Sequence, residues 1–192
     1  MPVIINGNGT VDTGTVLVGN SDITGLAAGA LPSTVIGAGA VLQVVQTVKT
    51  DTFTTTSTSL VDVTGLSVSI TPTSATSKIL VIAMVNVSND DANFAYISLL
   101  RGSSQIFIGD ASAGRVSVTA MTYVGGFNEG SIQAIPITFL DSPSSTSSQT
   151  YKIQIRVSTT GTALINRSFR DEASTNYDMR VPSSITVMEI AA

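Results

Sequence analysis

The stretch "TYKIQIRVS" (150–158) alternates without a break: Tyr151, Ile153, Ile155 and Val157 fall on one side, Lys152, Gln154 and Arg156 on the other. A period of two is that of a β-strand with one buried and one solvated face. The same period recurs in "VLQVVQTV" (41–48) and "LSVSIT" (66–71), both short strand candidates. "KILVIAMVNV" (78–87) is more continuously apolar and predicts a central strand covered on two sides. "NFAYISLLR" (93–101) and "SQIFIG" (104–109), joined through "GSS", predict a hairpin. "RVSVTAMTYVGGF" (115–127, broken in its middle), "SIQAIPITFLD" (131–141), "TALINRSF" (162–169) and "SITVMEI" (184–190) complete the set. Pro136 inside its run marks an edge or a bulge, because proline has no N–H to give to a sheet ladder. "TPTSATS" and "DSPSSTSSQ" are hydrophilic turns, and no segment of standard helix length carries an amphipathic helical period. Roughly eight to ten short strands in about 150 residues predict an all-β antiparallel β-sandwich, of jelly-roll type.

The period-two pattern starts only at residue 41. Residues 1–40 hold eight of the 16 glycines, two charges (Asp12 and Asp22) and no aromatic residue, the first being Phe53. Scattered Val, Ile and Leu without bulkier neighbours cannot close a core alone. Free linkers are usually polar or charged, and this stretch is neither. We read residues 1–40 as an extended arm that orders against another surface, and residues 41–192 as the sandwich body. A solvated linker and an additional strand of the body are the alternatives. Fully extended, such an arm reaches on the order of 130 Å, far enough to contact a non-adjacent subunit. Ile23, Leu26, Leu31, Val35 and Ile36 are the side chains it has to bury on a partner.

Composition narrows the chemistry. The chain has 192 residues and contains no Cys, His or Trp. That excludes a disulfide framework, thiolate or imidazole catalysis, and Cys- or His-based zinc sites. Charged residues are 11% of the chain and the net charge is −4, against a nucleic-acid binder that needs a basic stripe. Ser and Thr make up about a quarter of the residues, a composition of strands and turns. No basic region precedes an apolar run at the amino terminus, and the longest apolar run, Ile79 to Val85, is far short of a membrane span.

Three local clusters were weighed for chemistry. "NDDANF" (89–94) groups carbonyl and carboxylate oxygens but lacks the alternating ligands, central Gly and distal Glu of a calcium loop, so it reads as a polar hairpin turn. "NRSFRDEASTNYDMR" (166–180) is the most charge-dense segment. It reads as a solvated loop with local ion pairs, or as an exposed contact loop using Arg167, Arg170, Tyr177 and Arg180; adjacent Asp171 and Glu172 point apart and make a poor catalytic pair. "NGNG" is a turn signal, and no phosphate-binding or metal-spaced motif is present. The expectation is a protein that is not an enzyme and takes no cofactor and no metal.

The order of pieces is itself informative. "INGNGTV", then "ITGLAAGALPSTVIGAGAVLQVVQTV", then a Ser/Thr-rich β body resembles small virion structural proteins of tailed bacteriophages, cyanophage-like and tail-fibre-like ones included. The resemblance covers roughly residues 4–70, with "TGL…LP…GAVLQVVQ" as its clearest part. It implies a homotrimeric, non-enzymatic protein of the phage particle surface, made in the bacterial host cytoplasm, with no nucleic-acid or membrane partner. Two roles fit. A head decoration (cement) protein would clamp the major capsid protein through its arm. A short tail-fibre or receptor-binding protein would dock to tail proteins and bind a host surface glycan through its β body. The absence of any shaft sequence favours decoration.

Overall fold

The computed structural model describes residues 37–89, 94–123, 130–173, 176 and 178–192. Within Gly37–Ala192, which form one unit, every regular element among the described residues is a strand. They are β1 (Val41–Lys49), β2 (Phe53–Thr55), β3 (Val61–Ile70), β4 (Lys78–Asn89), β5 (Phe94–Arg101), β6 (Ser104–Ile106), β7 (Ala120–Tyr123), β8 (Gln133–Asp141), β9 (Gln149–Val157), β10 (Ala163–Ile165) and β11 (Ser183–Ile190).

β4 organises the first sheet. One of its edges takes β8, from Ile79↔Asp141 to Val87↔Gln133. Its other edge takes two strands end to end, β11 along Lys78–Met84 and β10 along Val87–Asn89. β1 then pairs with β11, and β2 with β10. In the second sheet β9 lies between β3 and β5, and the far edge of β5 takes β7 along Phe94–Ile97 and β6 along Leu99–Arg101. All these pairings are antiparallel.

Counting strands that lie end to end as one gives eight positions along the chain: β1/β2, β3, β4, β5, β6/β7, β8, β9 and β10/β11. The first pairs with the eighth, the second with the seventh, the third with the sixth and the fourth with the fifth. Such nesting is one long hairpin rolled into two four-strand layers, which is the jelly roll. Pro136 sits on β8, an edge strand among the described residues, where proline is tolerated because one side of the strand has no ladder to complete.

The core lies between the layers. β9 buries Tyr151, Ile153, Ile155 and Val157 as its alternation predicts; these meet Val81, Val85, Ile185 and Val187 of the other sheet. Each fully buried aliphatic side chain contributes about 1.5–3 kcal/mol relative to exposure. Two carboxylates stitch the ends. Asp141 at the end of β8 accepts hydrogen bonds from Tyr151 Oη (2.7 Å) on the opposite sheet and from Arg101 Nη1 (2.7 Å). Glu189 of β11, fully buried, accepts from Gln43 Nε2 (2.6 Å) and from the backbone N and Oγ1 of Thr73 (both 2.7 Å).

Several segments differ from the sequence expectation, among them the 162–169 run, of which only Ala163–Ile165 form a strand. β2 was not predicted, because three residues of "FTTT" carry no readable period. β6 stops at Ile106: Phe107 turns to φ 52° and stacks on Phe139 at 4.9 Å. Of the 115–127 candidate, Ala120–Tyr123 form β7, whereas 115–119 form no strand despite their alternation. Turn residues Ala113 (φ 39°) and Gly114 (φ 79°) precede that segment, and it meets β5 only at its end, where Thr119 N donates to Ile97 O and Thr119 Oγ1 takes the N–H of Leu99 in place of a ladder bond; residues 124–127 lie outside the described residues.

Candidate functional site

The loop between β10 and β11 is rooted in a buried junction. Asn166, at φ 67°, donates its amide to the carbonyls of Lys49 (2.8 Å) and Asp51 (2.9 Å) and accepts from Ser183 Oγ (2.6 Å). Its backbone N donates to Asn86 O, and Val181 N donates back to Asn166 O. Asparagine suits the place: it tolerates the left-handed conformation and its amide serves both strand ends. This knot fixes where β10 ends, where β11 begins, and where the intervening loop leaves the body.

In that loop the structure brings Arg167, Arg170 and Arg180 together with three carboxylates. Asp171 receives Arg167 (3.1 Å) and Arg180 (2.7 Å), while Asp178 receives Arg170 (2.9 Å), with Glu172 4.0 Å from the same arginine. Ser168 Oγ also donates to Asp178 (2.7 Å), and a bridge pairs the backbones of Arg167 and Arg180. The Arg170 guanidinium, helped by Ser168, holds the Asp178 carboxyl below its ordinary pKa, against the opposing effect of burial. Three arginines against three acids leave the cluster without net charge. Tyr177, proposed for the same contact loop, and the arm residues Ile23, Leu26, Leu31, Val35 and Ile36 lie outside the described residues, as do Asp90, Asp91 and Asn93 of the polar turn.

Nothing among the described residues forms a cluster of acidic side chains able to hold a metal ion. The titratable groups are engaged in structure. Burial, and then the bond to Asp141, push the Tyr151 phenol above its ordinary pKa, so it is no base. Lys49 is buried against Asp51 at 2.9 Å.

Contact surfaces are what sequence reasoning missed. On the outer face of the β4 sheet, Val44, Met188, Leu80 and Leu140 form a row across all four strands by register. Ile82 and Met84 of β4 and Val48 of β1 continue it, all exposed. None of these rows carries a charge. The signal was present in "KILVIAMVNV", whose apolar residues on the second face look outward instead of into another layer. The outer face of the β5 sheet is different. Phe94 lies 5.0 Å from Tyr123 and 6.3 Å from Tyr96, and the Arg156 guanidinium stands 4.4 Å over the Tyr96 ring. Beside them, Asp62 accepts from Lys152 Nζ (2.9 Å) and Gln154 Nε2 (2.6 Å), which hold its carboxyl below the usual range.

No protein-family model matches the chain, and no match is found among curated proteins. Solved structures similar to it include infectious bursal disease virus, Gx strain, at 16% identity over 81% of this chain and 39% of that one, with a TM-score of 0.40. The T=1 particles derived from infectious bursal virus match at 14% identity over 78% and 36%, TM-score 0.37. The VP2 subviral particle of infectious bursal disease virus matches at 15% over 78% and 38%, TM-score 0.33. The chain thus spans less than two fifths of each of these three chains. The jelly-roll assignment rests on the strand pairing above, not on this likeness.

Proposed function

We propose that this chain is a non-enzymatic structural protein of a bacteriophage particle. In this reading it is a homotrimeric head decoration protein that clamps capsid subunits through its N-terminal arm. One observation carries the contact role: on the outer face of the β4 sheet a row of apolar side chains, Val44, Met188, Leu80 and Leu140, crosses all four strands, with Ile82, Met84 and Val48 exposed beside it. Monomeric proteins rarely expose contiguous apolar patches beyond a few hundred Å². The amino-terminal resemblance supplies the particle. The chain without residues 1–40 should keep its β body and lose binding to empty heads, read by co-sedimentation. Undiminished decoration by the truncated chain would sink the arm's role.

A second reading, a short tail-fibre protein that binds a host glycan, is favoured by the aromatic shelf of Phe94, Tyr96 and Tyr123 with Arg156 and Gln154 beside it. It differs in outcome. Purified protein would then adhere to host cells and block infection, and Tyr123→Ala would weaken both.

A further inference from the structure

A sheet edge is a row of unpaired N–H and C=O groups, and proteins generally blunt it with proline, charge, a bulge or short length. Three of the four edges here are blunted. β8 carries Pro136. β3 is bulged between Asp62 and Ser67, with Gly65 at φ 82° and Asp62 exposed. β6 and β7 are only three and four residues long. β1 has none of these devices along most of its length. It runs nine residues without proline, and its only charged residue, Lys49, is turned inward with 1% of its side chain exposed. Its one irregularity lies between Val41 and Gln43, leaving Gln43–Lys49 in regular register with β11. Among the described residues, no strand pairs with its outer edge.

The geometry points to the outer edge of β1 as a self-association surface, which pairs antiparallel with β1 of a second copy across a two-fold axis near Gln46. Antiparallel self-pairing requires a strand that reads alike in both directions. On the outer face β1 presents Val44, Gln46 and Val48, a sequence with that symmetry; the two valines are 55% and 52% exposed. The axis sets Val44 opposite Val48 of the second copy, and the Gln46 amide opposite its own symmetry mate. Charge does not oppose the contact along the strand. Val41–Val48 carries none, and Asp62 on the β3 side of the same flank is paired with Lys152 (2.9 Å). The two apolar sheet faces then join into one. A nine-residue strand is about 30 Å long and a two-layer flank about 20 Å deep, so the flank offers on the order of 600 Å². A standard interface takes about 800 Å² per partner, which places this contact at the concentration-dependent end.

This contact is independent of the proposed particle role, since it needs neither shell nor receptor.

The chain has no cysteine, so Gln46→Cys introduces a single thiol at the axis. Directly opposed residues of an antiparallel pair are about 4.5–5.5 Å apart at Cα, within reach of a disulfide. Under mild oxidation the full-length Gln46→Cys chain should become mostly a disulfide-linked dimer on a non-reducing denaturing gel. Leu140→Cys, exposed on the opposite edge strand, should stay single. Mixed Val44→Cys and Val48→Cys chains should crosslink more than either alone, and Val44→Lys should weaken association in sedimentation roughly tenfold or more. The proposal is overturned if Gln46→Cys crosslinks no more than Leu140→Cys, or if the unsubstituted chain sediments singly at the same concentrations. It is equally overturned if Gln46→Cys crosslinks only after residues 1–36 are deleted, because the chain's own arm would then be the occupant of the edge.

Discussion

Glu189 shows how one side chain can hold a strand end. Burial raises the pKa of its carboxyl, but hydrogen bonds from Gln43, Ser77 and Thr73 outweigh that and hold it below the ordinary value of 4.5. A group whose folded pKa is depressed stabilises the fold fully above its unfolded pKa, and loses that contribution as pH falls through the folded one. The protein should therefore lose stability below about pH 4.5. Glu189→Gln should be less stable at neutral pH, by roughly 1–3 kcal/mol, and show a shallower acid limb in urea titrations. An unchanged acid limb would remove Glu189 from the account. In the sequence Glu189 is one acid at the end of an apolar run. Its partners are Gln43, 146 residues away, and Thr73, 116 away, so no local pattern could announce them. Asn166 is similar: in the sequence it is the first residue of a charge-dense segment, and in the fold it is the knot between strand ends.

At the scale of elements, alternation was a reliable guide for the long strands, edge strands β1 and β8 included, and a poor one for short pieces such as β10, three residues of a predicted run of eight. β9 and β4 match their predicted runs closely, because each lies inside its sheet. Residues 115–119 alternate equally well and remain irregular. β3 begins five residues before the predicted "LSVSIT", because its first half lies across a bulge. The register passes from Asp62↔Gln154 to Ser67↔Lys152, so five residues on one strand span two on the other. Gly65 supplies the turn at φ 82°, a conformation that costs an L side chain roughly 1–2 kcal/mol. A Cβ there would stand 3.7 Å from Lys49 Nζ, an ordinary contact. Gly65→Ala should therefore destabilise by that backbone cost alone, and truncating Lys49 should not relieve it. A double-mutant cycle by urea denaturation checks both statements.

The body Gly37–Ala192 is closed by its first and last strands. Val41 pairs with Ile190, and outside the innermost β5–β6 hairpin the nested pairing joins residues far apart in sequence. Loop closure of that kind is slow. Folding should take milliseconds to seconds rather than microseconds, followed by stopped-flow circular dichroism or tyrosine fluorescence, since the chain has no Trp. A microsecond phase carrying the full amplitude would contradict this topology. The same closure explains the outward faces: a rolled hairpin has only two inner faces, so the apolar residues on the second side of β4 are left for a partner.

The sequence by itself determined the all-β class, most strand positions, the inward face of β9 and the absence of thiol and imidazole chemistry. These follow from period, residue volume and composition, which are local. The jelly-roll type was expected from strand number and spacing, but only the tertiary structure decided which strands nest with which and that Arg167, Arg170 and Arg180 are matched by Asp171, Glu172 and Asp178. It also decided that Glu189 and Asn166 are structural, and that β1 offers an unblunted edge. Those depend on which strands become neighbours, a property of the chain's return path that no window of adjacent residues contains.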